Sequence, residues 1–112
     1  MGAPSLAIEL VGPLAVRRDG EAVALPQSKK TRALLAFLAL TTGPQRRERL
    51  CEIFWQIPDD PRGSLRWALS KLRGVVNEDG AERIRADREY VEFDPAGVSI
   101  DLVELHRAAA AA

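Results

Sequence analysis

The sequence predicts an α+β fold: a small antiparallel sheet at the N-terminus, three helices in the middle and a β-hairpin near the C-terminus. Three observations lead there. Residues 6–25 alternate apolar and polar about an Asp19-Gly20 turn, and residues 28–76 carry apolar residues at helical spacing between cap and stop signals. Residues 82–93 then alternate again about a second tip.

Leu6, Ile8 and Leu10 alternate with small or polar residues, as a half-buried strand does. A Gly-Pro turn at 12–13 leads into LAVRR, and Asp19-Gly20 is a hairpin signal before Val23 and Leu25 resume the alternation. After Pro26, Ser28 is the N-cap of a central helix with Leu34, Leu35, Phe37, Leu38 and Leu40 packed on most sides. Thr41, Thr42, Gly43 and Pro44 stop it. A second helix covers RRERLCEIFW, residues 46–55, with Leu50, Ile53 and Phe54 as its apolar stripe. The loop QIPDD follows. Asp60 caps a third helix whose first helical position is Pro61, where a missing N–H goes unused anyway. Two helices joined by a short polar connection, the second one basic, are the material of a helix-turn-helix.

In ERIRADREYVEF, Ile84 and Ala86 share one face of a strand and Val91 and Phe93 one face of another, about a tip at Asp87 and Arg88. IDLVELHRAAAAA begins a further helix with Asp101 as its cap and runs into alanines of high helix propensity. Residues 1–100 therefore read as one domain, and 101–112 as the start of a helix leading to a further C-terminal domain.

The chain of 112 residues, 46% hydrophobic and 29% charged, suits a single globular core. No apolar run reaches the roughly 18 residues of a membrane span, and the N-terminus lacks the pattern of a secretory signal, so a cytoplasmic protein is expected. The single Cys51 lies in an apolar-periodic stretch, which fits a core thiol better than a nucleophile, and His106 is the one histidine. Neither a metal cluster nor a Ser-His-Asp arrangement is in prospect, so no cofactor and no catalytic activity are expected.

Net charge is zero, but its distribution is uneven. Residues 27–76 carry ten Lys and Arg against four acids, for +6, while residues 1–26 come to −1 and residues 77–112 to −5. Such asymmetry points to a cationic face that meets phosphate or an acidic partner, or to helix surfaces that merely face water.

The third helix, PRGSLRWALSKLRGVV, has four basic residues and no acid. At about 100° per residue, Leu65, Leu69, Leu72 and Val76 form the seam, with Arg62, Arg66 and Arg73 on its flank. Gly63, Trp67, Ser70, Lys71 and Gly74 take the outward side. Either Trp67 faces solvent, or it packs under a neighbouring loop. Small residues at 63, 70 and 74 keep that side slim enough for a DNA major groove, about 12 Å wide. On this reading Arg62, Arg66 and Arg73 set the register on phosphates, and Arg66, Trp67, Ser70 and Lys71 are the candidates to reach base edges. Arg46, Arg47 and Arg49 open the second helix, where the macrodipole prefers acids; a phosphate backbone opposite would account for them. Lys29, Lys30 and Arg32 open the first helix in the same way, facing either phosphate or an acidic neighbouring domain. At the hairpin tip, Arg85 and Arg88 either enter a minor groove or, beside Asp87, Glu89 and Glu92, are simply solvated.

Four blocks in order, LAIELVGPLAVRRDGEAVALPQSKKTRALLAFLALTTG, RRERLCEIFW, SLRWALSKLR and DREYVEFDP followed by IDLVELHRA, resemble the N-terminal DNA-binding domain of bacterial SARP-type transcriptional regulators, the class joined to a bacterial transcriptional activation domain. The resemblance implies an OmpR/PhoB-like winged helix-turn-helix: an N-terminal antiparallel β-platform, three helices and a C-terminal hairpin wing. It also implies that SLRWALSKLR is the recognition helix, that the segment at 87–89 is the wing, and that the loop at 56–60 corresponds to one that in OmpR-like proteins can face RNA polymerase. Winged helices of this kind often act as tandem pairs on direct repeats, so a dimer on DNA is implied. The chain departs from the pattern at Arg46, where the family often has a capping serine, at Trp67, where it has a smaller polar residue, and in an acidic wing without the usual Gly-Tyr pair. The expected function is sequence-specific binding of double-stranded DNA. The alternative is a winged helix used as a protein-docking module within a larger signalling protein.

Overall fold

The computed structural model describes residues 5–55 and 60–111. In chain order the elements are β1 (Leu6–Glu9), β2 (Ala15–Arg18), β3 (Glu21–Ala22), α1 (Lys29–Leu40), β4 (Gln45–Arg46), α2 (Arg47–Phe54), α3 (Pro61–Val76), β5 (Ile84–Ala86), β6 (Tyr90–Phe93), β7 (Val98–Ile100) and α4 (Asp101–Ala111). This is the winged-helix arrangement expected: a platform sheet, a three-helix layer and a hairpin.

The platform has strand order β3-β2-β1-β7. Asp19 and Gly20 both take positive φ, 53° and 85°, which is the two-residue turn that matches the twist of adjoining strands and fixes the pairing of Arg18 with Glu21. One strand of this sheet is absent from the expectation. Val98–Ile100 runs parallel to β1, pairing Leu6 with Val98 and Ile8 with Ile100, so the platform is mixed rather than purely antiparallel. Asp101 follows it directly. Its carboxylate accepts from the backbone N–H groups of Leu10, at 2.7 Å, and Val11, at 3.2 Å, and so ties α4 to the end of β1 besides opening its own helix.

The hairpin is a three-stranded sheet of order β4-β6-β5, because Gln45 and Arg46 pair with Val91 and Tyr90. Arg46 is thus a strand residue, and the second helix spans Arg47–Phe54 rather than 46–55. The tip is closed by Asp87, whose side chain accepts from the N–H groups of Glu89 and Tyr90, each at 2.8 Å. Those two donors hold the Asp87 carboxyl below the usual carboxylate range.

One core joins the layers. Leu6, Ile8 and Val16 from the platform, Leu34, Leu35 and Leu38 from α1, and Leu50 from α2 meet the α3 seam of Leu65, Leu69, Leu72 and Val76. Ile84, Val91 and Phe93 close it from the hairpin. A 16-residue helix is marginal alone in water, and burying each leucine contributes roughly 1.5–3 kcal/mol, so packing rather than propensity holds α3 in place. Ser28 caps α1 through its hydroxyl, which accepts from Thr31 N–H at 3.2 Å. Phe54 meets Phe37 edge to face at 5.7 Å, which seats α2 on α1. Cys51 is half-buried, and burial pushes its thiol up from the ordinary value.

Candidate nucleic-acid interface

Both ends of α3 are fixed by side chains. At the start, the Asp60 carboxylate accepts from the Gly63 N–H at 3.0 Å, and Pro61 needs no partner. Gly63 does not belong to the slim outward side assigned to it by the helical wheel. It is partly buried, and a Cβ there would collide with the Asp60 carboxylate, so the glycine serves the cap.

At the other end the final carbonyls, which have no donor within the helix, are taken by two arginines. Arg18 Nη2 donates to the Val75 carbonyl at 2.6 Å, and Arg83 Nη1 to that of Val76 at 2.8 Å. Glu78 lies between them, 2.5 Å from Arg83 Nη1 and 3.3 Å from Arg18 Nε. The Asn77 side-chain oxygen accepts from the N–H groups of Arg83 and Ile84, each at 2.8 Å. Arg18 belongs to β2 and Arg83 leads into β5, so the helix end is held to both sheets. Cations at a helix C-terminus also suit the macrodipole. Sequence reasoning passed over all four residues. The one signal was a basic residue just beyond the third helix; its partner in β2 has no periodic signature.

Between these anchors, Arg62, Arg66, Trp67, Ser70, Lys71 and Gly74 are all exposed. Trp67 is 51% exposed, so the reading in which it packs under a neighbouring loop is set aside. Lys71 Nζ lies 5.4 Å from the centre of the Trp67 ring, a cation–π contact one helical turn apart that holds an ammonium and an indole side by side. Nothing lies within 4 Å of where a Gly74 Cβ would be. Arg73 is half-buried on the flank.

The cations of α2 and the hairpin are less free than the sequence implies. Arg46 sits 5.7 Å over the Tyr90 ring. Arg47 donates its N–H to the Glu89 carbonyl at 2.8 Å and its Nε to the Asp87 carbonyl at 2.6 Å, which fastens the start of α2 to the hairpin tip. Arg49 is exposed on the outer side of α2. Arg85 pairs with Asp94 at 2.8 Å, whereas Arg88 at the tip has no hydrogen bond or ion pair among the described residues. The loop at 56–60 lies, apart from Asp60, outside the described residues. Among the described residues no group of three or more His, Cys, Asp or Glu gathers at metal-binding distance, and no helix is long and apolar enough to cross a membrane.

The start of α2, the first two turns of α3 and the hairpin tip enclose a cleft of about 770 Å³. Leu65, Cys51 and Pro61 line it, as do Arg46, Arg47, Arg62, Arg66 and Arg88, with Glu48, Asp87 and Glu89 as the acids.

No protein-family description and no curated protein sequence matches the chain. Among solved structures it is similar to Mycobacterium tuberculosis EmbR, determined in complex with a low-affinity phosphopeptide, with a TM-score of 0.71 and 24% identity. That match covers 86% of this chain and 27% of the EmbR chain, so the present sequence spans about a quarter of that protein. At this identity the likeness establishes the fold, a winged helix, that the platform, helices and hairpin had already outlined.

Proposed function

We propose that this domain binds double-stranded DNA with sequence preference, with α3 in the major groove, as the N-terminal domain of a bacterial SARP-type transcription regulator whose further domain follows α4 (Asp101–Ala111). The observation that carries the reading is the unbroken exposed strip Arg62, Arg66, Trp67, Ser70, Lys71 and Gly74 on a helix anchored at both ends. A tryptophan presents up to about 250 Å², so leaving half of it in water forgoes ~3 kcal/mol at about 25 cal/mol per Å². A surface that seats the ring on DNA recovers that. On this reading Lys71, Arg66, Ser70 and Trp67 face base edges. Arg62, Arg73 and Arg49 contact phosphates, joined by the outer nitrogens of Arg46 and Arg47, and Arg88 rather than the paired Arg85 reaches toward the backbone beside the wing.

The test is fluorescence anisotropy on selected and random duplexes at two salt concentrations. If about six phosphates are contacted, affinity falls ~10³-fold or more between 50 and 200 mM salt. Lys71→Ala and Trp67→Ala then narrow the gap between selected and random DNA. Arg73→Ala weakens both alike and flattens the salt slope by about one unit. Equal losses on both kinds of duplex for all three variants would show that the base-facing assignment is wrong. Failure to bind any duplex at low salt leaves the docking-module reading instead.

A further inference from the structure

The cleft between α2, α3 and the hairpin tip differs from a groove that merely receives a DNA backbone. Its volume of about 770 Å³ lies within the ~300–1,000 Å³ of small-molecule sites, and its floor is apolar. Its uncharged surface is that of Pro61, which has no donor to offer, and of the half-buried Cys51, with the side chain of Leu65 packed beneath them at 1% exposure. A phosphodiester across the rim would touch guanidinium groups and leave Pro61 and Cys51 in water.

The charges sort into two sets. Arg47 gives its Nε to the Asp87 carbonyl and its backbone N–H to that of Glu89, Arg46 rests on Tyr90, and the Asp87 carboxylate accepts from its own tip. These groups brace the walls. Arg62, Arg66 and Arg88 have no hydrogen bond or ion pair among the described residues. Three uncommitted guanidinium groups thus rim an apolar floor, with Glu48 and Glu89 as the exposed acids that would turn away a second negative group. A guanidinium is the side chain best matched to a planar or tetrahedral oxyanion, through paired N–H bonds.

We propose that this cleft binds a small organic anion, an apolar ring-sized body bearing one carboxylate, sulfonate or phosphate, and that its occupancy withholds Arg62 and Arg66 from DNA. The second half rests on the DNA-binding reading; the first does not. The site shares Arg62, Arg66 and Arg88 with the proposed DNA face, so ligand and duplex exclude each other.

The probe is 8-anilinonaphthalene-1-sulfonate, whose fluorescence rises in an apolar site, titrated into the folded 112-residue chain. One saturable site is expected. The Arg62→Gln/Arg88→Gln double variant alters two exposed side chains and weakens the probe about tenfold or more, as loss of charge-assisted bonds should. Arg107→Gln on α4 has no effect. Cys51→Phe, which fills the cleft, abolishes the site, and circular dichroism confirms that each variant is folded. Probe binding that is absent, or that the double variant leaves unchanged, overturns the anion site. A duplex that releases the bound probe one for one supports the exclusion, and simultaneous binding of both overturns it. Absence of duplex binding at low salt overturns the DNA reading and the exclusion together, while the anion site still stands or falls on the variants.

Discussion

Gly74 offers a direct test of why α3 has its outward form. It lies inside the helix, is exposed, has an ordinary helical φ, and has open space where a Cβ would go. Stability alone argues against glycine there, since glycine in a helix is ~0.5–1 kcal/mol less favourable than alanine. Gly74→Ala should therefore stabilise the free domain by about that amount. A chain of 112 residues unfolds with an entropy near 0.24 kcal/mol/K, at about 2.1 cal/mol/K per residue, so the melting temperature should rise by ~2–4 °C. Thermal unfolding followed by circular dichroism measures this. The same position should tell on DNA. Gly74→Gln keeps the charge and has nearly the helix propensity of alanine but adds bulk to the surface proposed to enter the groove, and selected-duplex affinity should fall tenfold or more, about 1.4 kcal/mol. On the proposed reading the glycine leaves this side of α3 slim at a cost in helix stability. If Gly74→Ala lowered the melting temperature, the open surroundings would be wrong. If Gly74→Gln bound DNA as wild type does, this side of α3 would not face the groove.

Two other outcomes follow from side-chain anchors. Arg83 is 2% exposed, and Arg83→Met leaves the Val76 carbonyl and Glu78 short of a donor, so a loss of ~3 kcal/mol is expected in urea unfolding; Arg83→Met with Glu78→Met should lose less than the two single losses combined. Strict additivity would mean the two groups are not coupled. Asp101 is held below the ordinary aspartate value chiefly by the Leu10 N–H. Its contribution is therefore complete above the unfolded value of about 3.9 and is lost as pH falls through the lower folded value. The difference in urea midpoint between wild type and Asp101→Asn should hold steady above about pH 5 and shrink as pH falls below about 4, and a difference that held constant there too would show that the carboxylate charge is not what ties α4 to β1.

What could be read in the chain beforehand was whatever has a local cause. The Asp19-Gly20 turn, the Ser28 cap and the Asp60-Pro61 start each depend on residues a few positions apart, and so does the apolar spacing of the α3 seam. The outward placement of Trp67, Ser70 and Lys71 followed from that same seam. Contacts between distant segments were not legible. The parallel pairing of β7 with β1 joins positions about ninety residues apart, and three residues with one buried and two partly or fully exposed positions leave too short a pattern to stand out. Gln45 and Arg46 form only a two-residue strand, induced by the β6 edge beside them, so Arg46 and Arg47 read as helix-opening cations although both have partners in the hairpin. Gly63 was assigned to the right helix for the wrong reason, because helical geometry places it outward and only the cap geometry shows what a side chain would displace.

The Arg18–Glu78–Arg83 cluster shows how these two kinds of information combine. A seam of leucines fixes the position of a helix across the core, but leaves it free to slide or tilt by fractions of an ångström, since apolar contacts are not directional. The base contacts proposed for α3 would demand more, because hydrogen bonds weaken steeply with misalignment. Directional bonds at both termini of α3 supply that restraint: Asp60 at the start, and at the end the Arg18 and Arg83 guanidinium groups, brought from the two sheets, on the Val75 and Val76 carbonyls, with the Asn77 side chain on the Arg83 and Ile84 N–H groups. A buried Arg–Glu pair adds little to net stability when weighed against an apolar replacement, so its use here is better explained by orientation than by stability. The pattern of the chain makes the helix; the long-range polar contacts determine the angle at which Arg66, Trp67 and Lys71 are presented.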